Sequence, residues 1–129
     1  MKKTKFREIE FEEGKLTLGK DEESNDELME QFKGKENTII HTLKPGSPFG
    51  VIKKLNPSKN EIYASGAIVA GYSQDWRDNK KNTIVNVFSG KNISKKQGMK
   101  PGTWEVKKSK KIKIKKEDIK KCQQSEVFK

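Results

Sequence analysis

Pro57-Ser58-Lys59-Asn60-Glu61-Ile62-Tyr63-Ala64-Ser65-Gly66-Ala67-Ile68-Val69-Ala70-Gly71-Tyr72 is the stretch whose reading decides the fold. A serine followed three residues later by a glutamate has the spacing of a capping box, in which each side chain serves the other residue's backbone amide. Behind it, Ile62, Tyr63, Ala67, Val69, Ala70 and Tyr72 form a mostly apolar helix body. Ala64, Ser65, Gly66 and Gly71 are small enough to let that helix lie close on a sheet. The pattern predicts a helix over about residues 59–76.

Strand patterns flank the helix on both sides. Thr4 to Phe11 alternates in part, Glu13-Gly14 offers a turn, and Lys15-Leu16-Thr17-Leu18 reads as the return strand of a hairpin. Ser24-Asn25-Asp26-Glu27 has capping-box spacing and predicts a short helix with Leu28, Met29 and Phe32 inward, ended by Gly34. Thr38 to Thr42 and Phe49 to Ile52 read as buried strands broken by Pro45-Gly46-Ser47-Pro48, and Asn82 to Phe88 as a further strand. Ser89 to Gly102 reads as a basic loop, and Thr103 to Val106 with Ile112 to Ile114 as a second hairpin. Lys116 to Lys121 suits a short helical turn. The expected class is α+β: a mostly antiparallel sheet with one long helix packed across it and a shorter N-terminal helix. Residues 1–121 form one domain in this reading, and residues 122–129 a frayed tail.

The chain has 129 residues, 30% hydrophobic and 36% charged, so one domain with a small core is expected. No apolar segment follows Met1-Lys2-Lys3-Thr4-Lys5, and no stretch is long enough to span a bilayer. The single cysteine, Cys122, can form neither an internal disulfide nor a zinc site alone. A cytoplasmic protein is expected.

The net charge of +11 is concentrated in one quarter of the chain. Residues 91–121 carry thirteen lysines against three carboxylates, whereas residues 1–36 carry eight basic and eleven acidic side chains. Such asymmetry points to a polyanionic partner. A lysine-enriched surface would add Lys and Glu together and spread them evenly.

Catalysis and metal binding find no support. The one histidine, His41, lies in a β-branched strand without a serine, cysteine or carboxylate pair arranged around it, which marks it as structural. Asp21, Glu22, Glu23, Asp26 and Glu27 lack the glycine and alternating ligands of a calcium loop, and suit a solvated helix N-terminus. No enzyme activity and no cofactor are expected.

Binding candidates are more numerous. In Lys44-Pro45-Gly46-Ser47-Pro48, Gly46 lets backbone amides approach a phosphate while Lys44 and Ser47 add donors; the loop reads equally as a rigid turn. Lys91, Lys95, Lys96 and Lys100 lie in the basic loop with Gly98 and Gly102. In Lys111-Ile112-Lys113-Ile114-Lys115 the strand period sends isoleucines inward beside Trp104 and Val106, and Lys107, Lys111, Lys113 and Lys115 outward. An edge strand is protected from aggregation by a lysine or two, fewer than stand here. Arg77, Lys80 and Lys81 follow the long helix, where the dipole favours cations in any case. Trp76, beside those charges, is the candidate for stacking on a base. The loop lysines Lys95, Lys96 and Lys100, lacking a structural reason, are expected to matter more than the strand face.

Several segments follow one another in order: Phe6-Arg7-Glu8, Leu16-Thr17-Leu18-Gly19-Lys20, Asn25-Asp26-Glu27-Leu28, His41 ahead of Pro45-Gly46-Ser47, the small-residue helix ending near Tyr72-Ser73, and Lys95-Lys96-Gln97-Gly98-Met99-Lys100-Pro101-Gly102. Together they resemble the NFACT RNA-binding domain family. The last segment is the most specific. Ile39 stands where the family has an aromatic residue, and Pro48 where it often has histidine. The resemblance implies the part of ribosome-quality-control proteins that touches RNA. The large members bind large ribosomal subunits carrying an obstructed nascent chain and engage tRNA during template-free tail elongation. This chain has no room for their other domains, so tail synthesis is not expected of it. A freestanding module docking on rRNA or tRNA through phosphate contacts is expected, with the large ribosomal subunit as partner and no membrane or small-molecule substrate. The alternatives are a double-stranded DNA binder, and a protein–protein adaptor whose basic face meets an acidic partner.

Overall fold

The fold is described from a computed structural model, over residues 6–124. In chain order it runs β1 (Phe6–Phe11), β2 (Gly14–Gly19), α1 (Glu22–Phe32), β3 (Thr38–Thr42), β4 (Gly50–Ile52), α2 (Lys59–Gly71), α3 (Gln74–Asn79) and β5 (Thr83–Ser89). A 3-10 turn, β6 (Ile93–Ser94), β7 (Glu105–Val106), β8 (Lys110–Ile114) and α4 (Lys116–Gln124) complete it. Six strands form one antiparallel sheet in the order β1-β2-β4-β3-β5-β8, and β6 and β7 form a separate ribbon. The class is α+β, with four helices around a mostly antiparallel sheet.

Strand alternation feeds two cores, one on each face of the sheet. Leu16, Leu18, Ile40, Ile52, Val85 and Ile114 pack with Ala67, Ile68, Val69 and Ala70 of α2 and Ile119 of α4. The neighbouring positions Ile39, Val51 and Phe88 pack on the other face with Leu28, Met29 and Phe32 of α1 and with Ile93. Trp104 and Val106 of the ribbon side lean on that second cluster. The small residues of α2 do what their size allows: a Cβ on Gly66 would stand 3.0 Å from the Ile114 side chain. Burying this apolar surface is the main stabilising term, at about 25 cal/mol per Å².

Several sequence expectations are corrected. The helix foreseen over 59–76 is two helices. Ser73 lies between them: its hydroxyl donates to the Ala70 carbonyl (2.6 Å) and accepts from the Trp76 amide (3.1 Å). It thereby ends α2 and caps α3. The α1 capping box lies three residues earlier than its spacing suggested. Asp21 is the cap, accepting from the Ser24 amide (2.8 Å), and Ser24 returns the bond to the Asp21 amide (3.0 Å). The hairpin expected between residues 103–106 and 112–114 does not form; β7 pairs with β6, and β8 pairs with β5. The reason is apolar sorting, since Trp104 and Val106 serve one core while Ile112 and Ile114 serve the other. Cys122 to Gln124, expected in a frayed tail, are the last turn of α4. The remainder of that tail, residues 125–129, lies outside the described residues.

The tail's contact also fixes Trp76. Gln123 accepts from the Trp76 indole N–H (2.9 Å) and donates to the Gly71 carbonyl (3.2 Å). Trp76 is 1% exposed, so it belongs to the core.

The turn after β5 ties α1 to the sheet. Gly90 donates to the Asn37 carbonyl (3.1 Å) and accepts from the Gly34 amide (2.9 Å). A Cβ there would lie 2.0 Å from the Phe32 carbonyl oxygen and 2.7 Å from that of Lys35. Both are backbone atoms, which cannot swing aside as a side chain can. Gly90→Ala should therefore lower the unfolding free energy by about 2–3 kcal/mol in urea titration; an unchanged midpoint would show that the α1–β5 junction is loose.

Candidate nucleic-acid interface

β8 is an edge of the sheet. Its alternation is the one the sequence displays: Ile112 and Ile114 face the α2 side, while Lys111 and Lys113 stand opposite Asn86 and Ile84 of β5 on the other face. Lys115 continues the outward series, and Lys107, Lys108 and Lys110 lead into it. All six are exposed. None forms an ion pair with a described carboxylate. Successive outward lysines on a strand are about 6.6 Å apart, close to the pitch of a phosphate backbone. Sequence reading passed over Lys108 and Lys110 as site residues. The run Lys107-Lys108-Ser109-Lys110-Lys111 was the available signal.

The basic loop is different. Lys95 is 22% exposed; its ammonium bonds Asp26 at 2.8 Å and the Lys100 carbonyl at 3.3 Å, and sits 5.2 Å from the centre of the Trp104 ring. The same Asp26 oxygen accepts from the Gly102 amide (3.0 Å) and the Trp104 indole N–H (2.9 Å). Burial pushes the Asp26 carboxyl up, but the bonds from Lys95, Trp104 and Gly102 outweigh it and leave it below the usual carboxylate range. Lys95 thus has the structural reason that the sequence did not show. Lys96 pairs with Glu105 (2.9 Å) and Lys91 with Glu36 (2.9 Å), both near the surface. Lys100 is exposed and pairs with no described carboxylate. The loop also runs past the acidic first turns of α1, with Pro101 beside Glu22, Glu23 and Glu27. Its positive charge is largely answered within the protein.

The loop after β3 is held by its own side chains. Ser47 accepts from the Thr42 amide (3.1 Å) and donates to the Pro48 carbonyl (3.2 Å), and Gly46 accepts from the Gln74 amide (2.9 Å). Lys44 faces Asp75 at 3.6 Å. The Ser47 hydroxyl is committed to the turn, so the donor foreseen there is already in use. His41 is half-buried with its ring stacked on Phe49 (4.3 Å between centres); burial holds its imidazole below the usual histidine range.

Around α3, Arg77 donates to the Tyr72 carbonyl (3.1 Å) and the Gln74 side chain (2.9 Å). Lys80 ends the helix in the left-handed conformation, its ammonium 5.1 Å from the centre of the Trp76 ring. Lys81 is exposed. Trp76 cannot serve as the stacking residue, because its ring lies in the core and its N–H is held by Gln123. The structure therefore separates the foreseen cations into a paired loop, a group around α3, and an uncompensated β8 edge.

Asp26→Ala should strip the single acceptor shared by Lys95, Gly102 and Trp104. We expect a loss of about 2–3 kcal/mol in denaturant titration. A red shift of Trp104 fluorescence should accompany it, with Trp76 still buried; an unshifted spectrum would contradict this role for Asp26.

Comparison with known proteins identifies the family of the domain. The family model described as the NFACT protein RNA binding domain matches residues 5–108. No protein of curated function matches the sequence. Among solved structures, the chain is similar to the C-terminal part of the fibronectin/fibrinogen-binding protein from Streptococcus suis, with a TM-score of 0.78 at 23% identity. That likeness covers 94% of this chain and 50% of the other, so the chain spans about half the length of that relative and shares its fold. With most of its length matched by that model, the chain belongs to the NFACT RNA-binding domain family.

Proposed function

We propose that this domain docks on structured RNA, ribosomal or transfer RNA, through the lysines of the β8 edge. The observation that carries the reading is the row Lys107, Lys108, Lys110, Lys111, Lys113 and Lys115, exposed and without described carboxylate partners. A dense run of unanswered charge keeps its attraction for phosphates, and here six such lysines stand within nine residues. Family membership supports RNA as the polyanion. The biological setting in this reading is the large ribosomal subunit in ribosome quality control, in the cytoplasm. The role is binding, with no catalytic step: His41 is packed on Phe49 and is committed to the fold.

The edge is expected to matter more than the loop, which reverses the order suggested by sequence. Lys95 would have to leave Asp26 before reaching a phosphate, whereas Lys111 and Lys113 have no such contact to break. Changing Lys111, Lys113 and Lys115 together to Gln should weaken tRNA or rRNA binding by about 1–3 kcal/mol with the melting temperature unchanged. Changing Lys95, Lys96 and Lys100 together to Gln should weaken it less and lower the melting temperature. Both variants lose three charges, so the general field effect cancels. In the wild type, the log–log salt slope should be roughly −3.5 to −4.5 if about five phosphates are engaged. A flat salt response would remove the electrostatic mechanism; equal losses from the two variants would reduce it to net charge; tighter binding of duplex DNA would shift the partner class.

A further inference from the structure

The cover provided by α1 and the ribbon stops short of one end of the sheet. Ile39 and Phe88 lie under it, half-buried His41 and Asn86 mark its margin, and Leu43 and Ile84 lie beyond it. Leu43 is 46% exposed and Ile84 38%. The two are neighbours, since the Leu43 amide donates to the Ile84 carbonyl (2.9 Å). Single exposed aliphatic side chains are ordinary, but an adjoining pair on a sheet face asks for a reason.

The pair lines a groove of about 310 Å³ together with Lys44, Asp75, Asn79, Lys81 and Asn82, the Asp75 carboxylate being met by Lys44 (3.6 Å). Lys113, opposite Ile84 in the β5–β8 register, adds a cation on the β8 side. Two amide groups are half used. Asn79 donates its NH2 to Asp75 (2.7 Å), and its oxygen has no described partner. Asn82 accepts from the Lys116 amide (2.9 Å), and its NH2 has none. Apolar floor, free amide donor and acceptor, and the ammonium groups of Lys81 and Lys113, with the Asp75 charge already answered by Lys44, together match one ligand chemistry: a flat heteroaromatic ring carrying a phosphate.

We propose that this groove takes a single unpaired nucleotide of the bound RNA, its base on Leu43 and Ile84 and its flanking phosphates toward Lys81 and Lys113. The proposal rests on the RNA-binding reading and adds a preference to it. A base inside a duplex has both faces stacked and its edge paired, so only an unpaired one can lie on the floor. Lysines arranged along β8 would hold any RNA backbone; the groove selects RNA with a base to offer. An apolar side chain of a protein would also meet the floor, but it would leave Lys81 and Lys113 unanswered.

The test compares two RNAs with equal numbers of phosphates, a hairpin with an unpaired loop and a blunt duplex. Fluorescence anisotropy should show the wild type binding the hairpin about 5-fold or more tighter, the scale of burying roughly 40 Å² of apolar surface. Leu43→Ser with Ile84→Ser should erase that preference while leaving duplex affinity and its salt slope unchanged; Leu43→Ser alone should reduce it. Both positions are exposed, and thermal unfolding of each variant verifies the fold. A wild type without preference, or a double variant that keeps it, overturns the proposal while leaving the β8 reading intact. Failure to bind either RNA overturns both.

Discussion

Side chains of β3 and β5 must be divided between two cores, and the rest of the domain follows from that division. Ile40 and Val85 point to α2, while their neighbours Ile39 and Phe88 point to α1 and the ribbon. A chain with 30% hydrophobic residues has little apolar surface for covering both faces of a six-stranded sheet. The cover is therefore incomplete. It is thick over β3 and β4, and it ends before Leu43, Ile84 and the outer face of β8. Polar and charged side chains accumulate where no layer lies above them, and the partner-facing surface is what the core leaves uncovered.

Charge then sorts this surface a second time. Lys91 and Lys96 pair with Glu36 and Glu105, and Lys95 is drawn into a partly buried arrangement around Asp26 of α1. Exposed pairs such as Lys91–Glu36 and Lys96–Glu105 are screened by solvent, so an incoming phosphate can displace them at small cost. Lys95 is different because its partner Asp26 is partly buried and fixed by Gly102 and Trp104, so releasing Lys95 would leave that carboxylate without its cation. On β8 nothing comparable opposes the transfer of lysine to phosphate. The distinction separates a basic segment that builds the domain from one that faces a polyanion.

Much of this was legible in the sequence. The hairpin of β1 and β2, the apolar strands, the alternation of β8 and the small-residue surface of α2 all follow local periodicity, which sequence displays directly. The family resemblance likewise rested on short segments in order, and the matched span of residues 5–108 contains all of them. The misread features depend on distant partners. Ser73 looks like another small helix residue until its hydroxyl is seen to cap a new helix. Trp76 looked available for stacking because its covering residue, Gln123, is 47 positions away. Lys95 looked free because Asp26 is 69 positions away. The pairing of β7 with β6 was hidden because Trp104 and Ile112 alternate alike but serve different cores.

The central claim is that RNA is held by the uncompensated β8 edge and not by total positive charge. Lysine acetylation footprinting on the full chain, with and without saturating tRNA, tests it residue by residue. Protection should concentrate at Lys107, Lys108, Lys110, Lys111, Lys113 and Lys115, with Lys15 on β2 and Lys53 just after β4 as reactive as before. Lys95 should be slow to react in both states, held by Asp26 throughout. Protection spread evenly over the lysines, or centred on residues 95–100, would contradict the claim.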